Sequence, residues 1–330
     1  MTRDLSRPAV DVMRWRAIFA FLRVPVPLCG VLFYHGEIHM TQAQQAVRLL
    51  QLHHAPTPLI LINAWDAASA AMIAHCGLPA VASSSAALAN ALGFPDGQHL
   101  PWPQMLDAVQ RIVRAVSVPV TADIESGFAA NQRELEATIT QIIAVGAVGV
   151  NLEDAQPGQD ARDSLFPLAE QIERIKAARR AALAQKIHLV INARTDAYWQ
   201  AGVSPEEALR NTLKRGKAYL ESGADCIFVP GLRNSDHIKA LIDHLRTIHP
   251  DANPHANPHA PVNILAGPDV PSIPELAKLG VKRVSYGSGP HRAAMGLLRR
   301  MATEASSSGT YTTLTEGAVP YAEINGLFRK

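Results

Sequence analysis

From Leu59 onward the chain alternates short β-branched apolar runs with longer helical patterns, and it does so eight times. The runs are 59–63, 80–83, 118–122, 147–152, 187–193, 225–229, 262–266 and 283–286. This is the signature of βα units and a parallel sheet. Helices are expected at 102–116, 133–145, 167–184, 205–222 and 236–248. Ser204-Pro205-Glu206-Glu207 sets a capping serine before a first-turn proline and two acids, and Ser235-Asp236 is expected to do similar work. Gly77, Gly146, Gly223 and Gly280 stand where a left-handed residue closes a helix. Eight such units in about 250 residues match one closed (β/α)8 barrel, a TIM barrel. An open doubly wound sheet is the alternative, because strand count alone does not establish closure.

A chain of 330 residues with 48% hydrophobic content is long enough to bury a large core. Lys and Arg exceed Asp and Glu by 31 − 29 = 2, which excludes the basic footprint that nucleic-acid binding needs. Cys29, Cys76 and Cys226 share no CxxC spacing, read as free thiols, and suit a reducing, cytoplasmic compartment. Residues 1–40 form a leader, expected to be disordered or mis-annotated, with an extra helix or a targeting segment as alternatives. Its apolar stretch 15–33 is interrupted by Arg16, Arg23, Pro25 and Pro27 and is too short to span a bilayer, so no membrane partner is expected. Residues 41–330 are then the barrel, carrying a Pro/His-rich loop at 250–261 in which Ala-Asn-Pro-His occurs twice. Repeated proline forbids a helix there. His249, His255 and His259 invite a metal reading, against the plainer one of a solvated insertion.

In a barrel of this kind the chemistry sits at the C-terminal ends of the strands. The second strand ends in Ser83-Ser84-Ser85, the third in Asp123-Ile124-Glu125, the fourth in Glu153-Asp154 and the fifth in Arg194-Thr195-Asp196, while the second loop adds Asp96. Asp123, Glu125 and Glu153 on neighbouring strands would repel one another unless a cation neutralised them. A hard cation such as Mg²⁺, or Mn²⁺ in its place, suits such oxygen donors. The plainer reading is that these acids cap the following helices. Arg194 suits a planar carboxylate or phosphonate held bidentately, or else braces the site against Asp196 or Glu153. Ser83, Ser84 and Ser85 offer hydroxyls and N–H groups to a second carboxylate, or simply form a tight turn. Gly287 and Gly289 read as a phosphate cradle or as a plain turn into the helix of His291. Lys186 precedes the fifth strand, which places it away from the acids and disfavours a Schiff-base aldolase.

Six segments in order, NAWDAASA (63–70), SSSAALANALGFPDG (83–97), PVTADIESGF (119–128), GAVGVNLEDA (146–155), INARTDAYW (191–199) and GADCIFVPG (223–231), resemble the isocitrate lyase and phosphoenolpyruvate mutase superfamily. The resemblance runs from about residue 58 to 292, with a familial tail at 321–328. It implies a phosphoenolpyruvate mutase-like barrel whose eighth helix is exchanged between subunits, giving a homo-oligomer, a dimer or tetramer. It also implies Asp123 as the direct Mg²⁺ ligand, Glu125 and Glu153 reaching the metal through water, and Arg194 binding substrate. Ser83, Ser84 and Ser85 would hold the substrate carboxylate, with Asp96 behind them. The chain departs from the family after the fourth strand. There 155–163 reads AQPGQDARD, without the lyases' Lys-Arg-Cys-Gly-His or the mutases' lysine and asparagine, and Pro230 stands where mutases show histidine.

Together these readings lead to a Mg²⁺-dependent lyase or hydrolase cleaving a C–C bond of a small 2-oxo or 2-hydroxy (di)carboxylic acid through a metal-stabilised enolate. Asp96, Glu153 and Asp160 are the candidate proton carriers. Phosphonate P–C mutase or hydrolase chemistry, and a barrel that binds a small anionic carboxylate without turnover, are the alternatives. The segment 155–164 is expected to be a mobile gate.

Overall fold

A computed structural model describes residues 40–157, 164–246 and 260–329. The leader, the centre of the expected gate and nearly all of the Pro/His-rich loop lie outside the described residues, and with them Cys29, Asp160, His249, His255 and His259.

The strands are β1 (Leu59–Leu61), β2 (Asn63–Ala64), β3 (Val81–Ser83), β4 (Val120–Asp123) and β5 (Gly149–Glu153). They continue with β6 (Val190–Arg194), β7 (Cys226–Phe228), β8 (Val262–Leu265) and β9 (Arg283–Ser285). Each expected run holds one strand, the first in two pieces parted at Ile62. β1 pairs in parallel with β9, and β2 pairs in parallel with β3. One broken strand therefore borders both ends of the row β1-β9-β8-β7-β6-β5-β4-β3-β2, which closes the barrel and removes its free edges. This pairing excludes the open doubly wound sheet.

The helices are α1 (Gln42–His53), α2 (Ala67–His75), α3 (Ser85–Ala91), α4 (Trp102–Ala115), α5 (Gln132–Ala144) and α6 (Leu168–Ala184). They continue with α7 (Pro205–Glu221), α8 (Ser235–Arg246), α9 (Ile273–Leu279), α10 (Gly289–Ser308), α11 (Thr312–Thr315) and α12 (Tyr321–Gly326). Ser204 caps α7 as expected, its Oγ accepting the Glu207 N–H at 3.2 Å. At α8 the expected cap is corrected. Ser235 is already helical, and Asn234 Oδ1 accepts the N–H groups of Asp236 and His237 at 2.8 and 3.0 Å. Gly146 (φ 101°) and Gly280 (φ 98°) end their helices in the left-handed region, where a side chain would be strained.

Strand residues alternate strictly between two environments. Val120, Ala122, Val150, Leu152, Ile191, Ala193, Ile227, Ile264 and Val284 face outward into the main apolar core beneath the helices. The inward positions are largely polar: Thr121, Asp123, Asn151, Glu153, Asn192, Arg194, Asn263, Arg283 and Ser285. At the N-terminal end the inward residues turn apolar again. Leu59, Leu61, Ala80, Ala82, Val148 and Val190 cluster with Ala46 and Leu49 of α1, which plugs this end. A Cβ on Gly149 would come within 2.8 Å of Leu49 Cδ2, so the close approach of α1 requires glycine there. A capping box at Thr41 and Gln44 starts this unexpected helix.

Candidate active site

A cavity of about 110 Å³ opens at the C-terminal ends of the strands, bounded by Ser84, Ser85, Asp96, Asp123 and Arg194 among others. One water needs only ~10–15 Å³, so the space suits a molecule of several heavy atoms. Ser83, Glu125 and Glu153 do not reach the cavity wall and stand behind it. Asn63, Asn151, Trp199, Phe228, Ser285 and Ser288 also line it, and the sequence reading singled out none of them.

Asp123 is held from one side only. Its Oδ2 accepts the Ser85 N–H at 3.0 Å and the Ser85 hydroxyl at 2.9 Å, while its backbone N–H donates to Ser83 Oγ at 2.9 Å. Its Oδ1 is buried with no partner among the described residues. The serine run thus serves largely to fix Asp123, and Ser84 also caps α3, its Oγ accepting the Ala87 N–H at 3.4 Å.

The turn after β4 is built under strain. Glu125 (φ 51°) and Phe128 (φ 50°) both sit in the left-handed region without being glycine. Gln98 holds the turn from above, donating to Ser126 Oγ at 2.6 Å and accepting the Phe128 N–H at 2.7 Å. Arg174 holds it from below by donating to the carbonyls of Ser126 and Ala129. Burial, with the charges of Asp96 and Asp123, pushes the Glu125 carboxyl up to about 8, and its Oε1 has no partner among the described residues.

Arg194 carries the densest set of contacts. Its Nε and Nη2 grip Asp196 Oδ1 and Oδ2 at 2.6 and 2.8 Å, and its Nη1 lies 2.7 Å from Glu153 Oε2. The guanidinium also lies 4.9 Å from the Trp199 ring and 5.8 Å from that of Phe228. Burial disfavours its charge, but Asp196 and Glu153 more than offset this and hold the arginine well above its ordinary value. The bracing reading of Arg194 is therefore part of the observed geometry, although the residue still lines the cavity. Glu153 is raised well above the usual carboxylate range by burial, with Arg194 opposing. Asp96 stands at the rim, and burial together with Asp123 raises its carboxyl too.

The three acids do not converge as a set of direct ligands. Among the described residues no group of three or more His, Cys, Asp or Glu side chains is arranged to hold a metal. Glu153 is paired with Arg194, its Oε2 lying 2.7 Å from Nη1. What remains fits a hard cation nonetheless: Asp123 Oδ1 is a buried, unpartnered carboxylate oxygen beside the cavity, and an ion of this kind takes one or two carboxylates and completes its shell with water and substrate oxygens.

The Gly287 N–H, with that of Tyr286, donates to Asn63 Oδ1 at 2.9 Å, so it is spent on a turn and not free to cradle a phosphate. Cys76 and Cys226 are free thiols; Cys226 is buried, which pushes its thiol up to about 12, and Cys76 is exposed. The described ends of the expected gate are tied together, Ala155 bridging Leu165 and the Gln156 N–H donating to the Ser164 carbonyl at 3.2 Å.

Gly231 supports the wall through its neighbour Trp199. Its φ is 83°, and an added Cβ would lie 2.8 Å from the indole. Gly231→Ala is expected to destabilise the protein by about 1–3 kcal/mol, measured by urea denaturation, because both backbone and indole must yield.

A closed parallel barrel with acids and an arginine at its C-terminal mouth defines a (β/α)8 enzyme. This chain belongs to the phosphoenolpyruvate phosphomutase family, whose model matches residues 49–306, and with it to the superfamily of lyases and mutases that its strand ends resemble. A crystal structure of a candidate phosphonomutase from Burkholderia cenocepacia J2315 is 37% identical, with a TM-score of 0.72 over 80% of this chain and 100% of that one. The 2-methylisocitrate lyase of Bacillus subtilis (strain 168) is 28% identical over 62% of this chain and 66% of its own. A phosphonopyruvate hydrolase solved with oxalate and Mg²⁺ is 26% identical, with a TM-score of 0.70 over 87% of this chain and 95% of that one.

Proposed function

We propose that this enzyme is a Mg²⁺-dependent lyase or hydrolase cleaving a C–C bond of a small 2-oxo or 2-hydroxy (di)carboxylic acid. The observation that carries the reading is the unpartnered Asp123 Oδ1 in a small cavity that also contains Arg194. Asp123, with Glu125 behind it, would hold the cation, which when bound supplies positive charge to substrate oxygens. Arg194 faces a substrate carboxylate with the part of its guanidinium not engaged by Asp196 and Glu153. Trp199 and Phe228 keep that charge out of bulk water, where it would be screened. Asp96, at the lip of the cavity with a raised carboxyl, is the proton carrier. The loop after β5 offers no thiol in 155–165, so this chain does not draw its acid from a cysteine there.

Incubation with a panel of small oxo and hydroxy acids, with Mg²⁺ and with EDTA, followed by mass spectrometry, tests the reading. Metal-dependent loss of one acid to two smaller carbon products is expected. Release of inorganic phosphate from phosphonates instead would favour P–C chemistry, and tight oxalate binding without turnover would favour a binding barrel.

The same proposal includes self-association. Only His291 is buried among the 20 residues of α10, and α11 and α12 bury none. Met295, Leu298, Leu314 and Tyr321 are exposed on these helices and Tyr311 just before α11, an apolar surface that a second copy would cover by exchange. Sedimentation is expected to give a dimer or tetramer; a monomer at micromolar concentration would contradict it. Among the described residues no helix is long and apolar enough to cross a membrane, and we assign the protein to the cytoplasm.

A further inference from the structure

Arg283 is fully buried inside the barrel, and its recorded hydrogen-bond partners are neutral. Its Nη2 donates to Asn151 Oδ1 at 3.0 Å, and its Nη1 lies 3.3 Å from His53 Nε2. His53 is uncharged, since burial and Arg283 itself pull the imidazole down to about 3. Its Nδ1 lies 2.8 Å from the Leu49 carbonyl and must donate there, which leaves Nε2 as an acceptor. Arg283 Nε has no partner among the described residues, and burial pulls the guanidinium down to about 10, so it still carries its charge near neutrality. A buried cation that hydrogen-bonds no carboxylate is costly even with the charge of Asp123 nearby, and an apolar side chain of similar volume is often tolerated as well or better.

The contact to Asn151 shows what that cost maintains. Asn151 lines the cavity, and its amide has two faces, one accepting and one donating. Its Oδ1 also accepts from Asn192 Nδ2 at 2.7 Å. Asn192 cannot fix the orientation, because its own Oδ1 is unpartnered and it is free to turn over. A guanidinium only donates. Turning Asn151 over would set its NH₂ against Arg283.

We propose that Arg283 is a positioning residue for the cavity: it locks Asn151 with its oxygen inward, so that the amide N–H₂ and a buried positive charge favour an anion above it. The inference rests on the reading of the cavity as an anionic-acid site, and it deepens that reading by assigning the floor.

Arg283→Met removes both charge and donor, whereas Arg283→Lys keeps both. Oxalate binding is measured by calorimetry at saturating Mg²⁺, alongside thermal melting. Arg283→Met is expected to bind oxalate about tenfold more weakly while melting no lower than the parent, and Arg283→Lys to stay within about threefold of the parent. Unchanged affinity in Arg283→Met would overturn the proposal, as would a lower melting temperature with affinity intact. A parent protein that does not bind oxalate would instead count against the functional reading. Melting then decides for Arg283: a lower value in Arg283→Met makes it a structural residue and overturns the proposal, and an equal or higher one supports it.

Discussion

Asp123→Asn is expected to abolish divalent-metal binding while leaving the barrel folded. An asparagine carbonyl in the place of Oδ2 can still accept both hydrogen bonds from Ser85. Its NH₂ then occupies the place of the unpartnered Oδ1 and presents hydrogens where the cation needs an oxygen lone pair. Arg194 and Arg283 attract this charge from a distance, but among the described residues no cation pairs with it directly, so removing it costs the fold little. Turnover is expected to fall about a thousandfold, since a cation at a reacting oxygen contributes several kcal/mol. Calorimetry with Mg²⁺ and a melting curve measure the two halves. Unchanged Mg²⁺ affinity would remove Asp123 from the metal site.

Arg194→Lys is expected to weaken oxalate binding by roughly ten- to hundredfold, because lysine keeps the charge but loses the fork. The structure adds a second effect. Arg194 lies between two carboxylates, Glu153 and Asp196, and the Asp196 side chain is fully buried. A lysine satisfies one of them at most. Arg194→Met satisfies neither and strands both, an expected loss of about 3–5 kcal/mol in stability. Melting should therefore fall in the order parent, lysine, methionine, while binding is already impaired in the lysine variant. An unchanged dissociation constant in Arg194→Lys would leave the arginine as a brace alone.

What was legible in the sequence follows from how locally each feature is encoded. Strand positions were readable because β-branched runs and glycine stops act over a few residues, and β4, β5 and β6 extend just one residue further than expected, to Asp123, Glu153 and Arg194. The division of the first strand at Ile62 was not, since closure depends on β9, more than 200 residues away. Asp123 and Arg194 stood out as polar residues at strand ends, and Asp96 as an acid in the loop after the second expected strand. Asn63, Asn151, Ser285 and Arg283 did not, because they lie within strands that were read for apolar content. Their signal was present in the period-2 alternation, with Thr121 and Asp123, Asn151 and Glu153, Asn192 and Arg194, and Arg283 and Ser285 each two apart and all turned inward. Which way the Glu153 carboxylate turns is set by Arg194 on the next strand, and spacing alone does not decide it.

The central claim is that Asp123 Oδ1 meets a divalent cation in the cavity beneath which Asn151 lies. Crystals grown with Mn²⁺ and oxalate, with diffraction recorded where manganese scatters anomalously, test this most directly. One anomalous peak is expected against Asp123 Oδ1, with oxalate on it between Ser84 and Arg194. A cavity without a peak at millimolar Mn²⁺, or a peak elsewhere on the barrel, would contradict it.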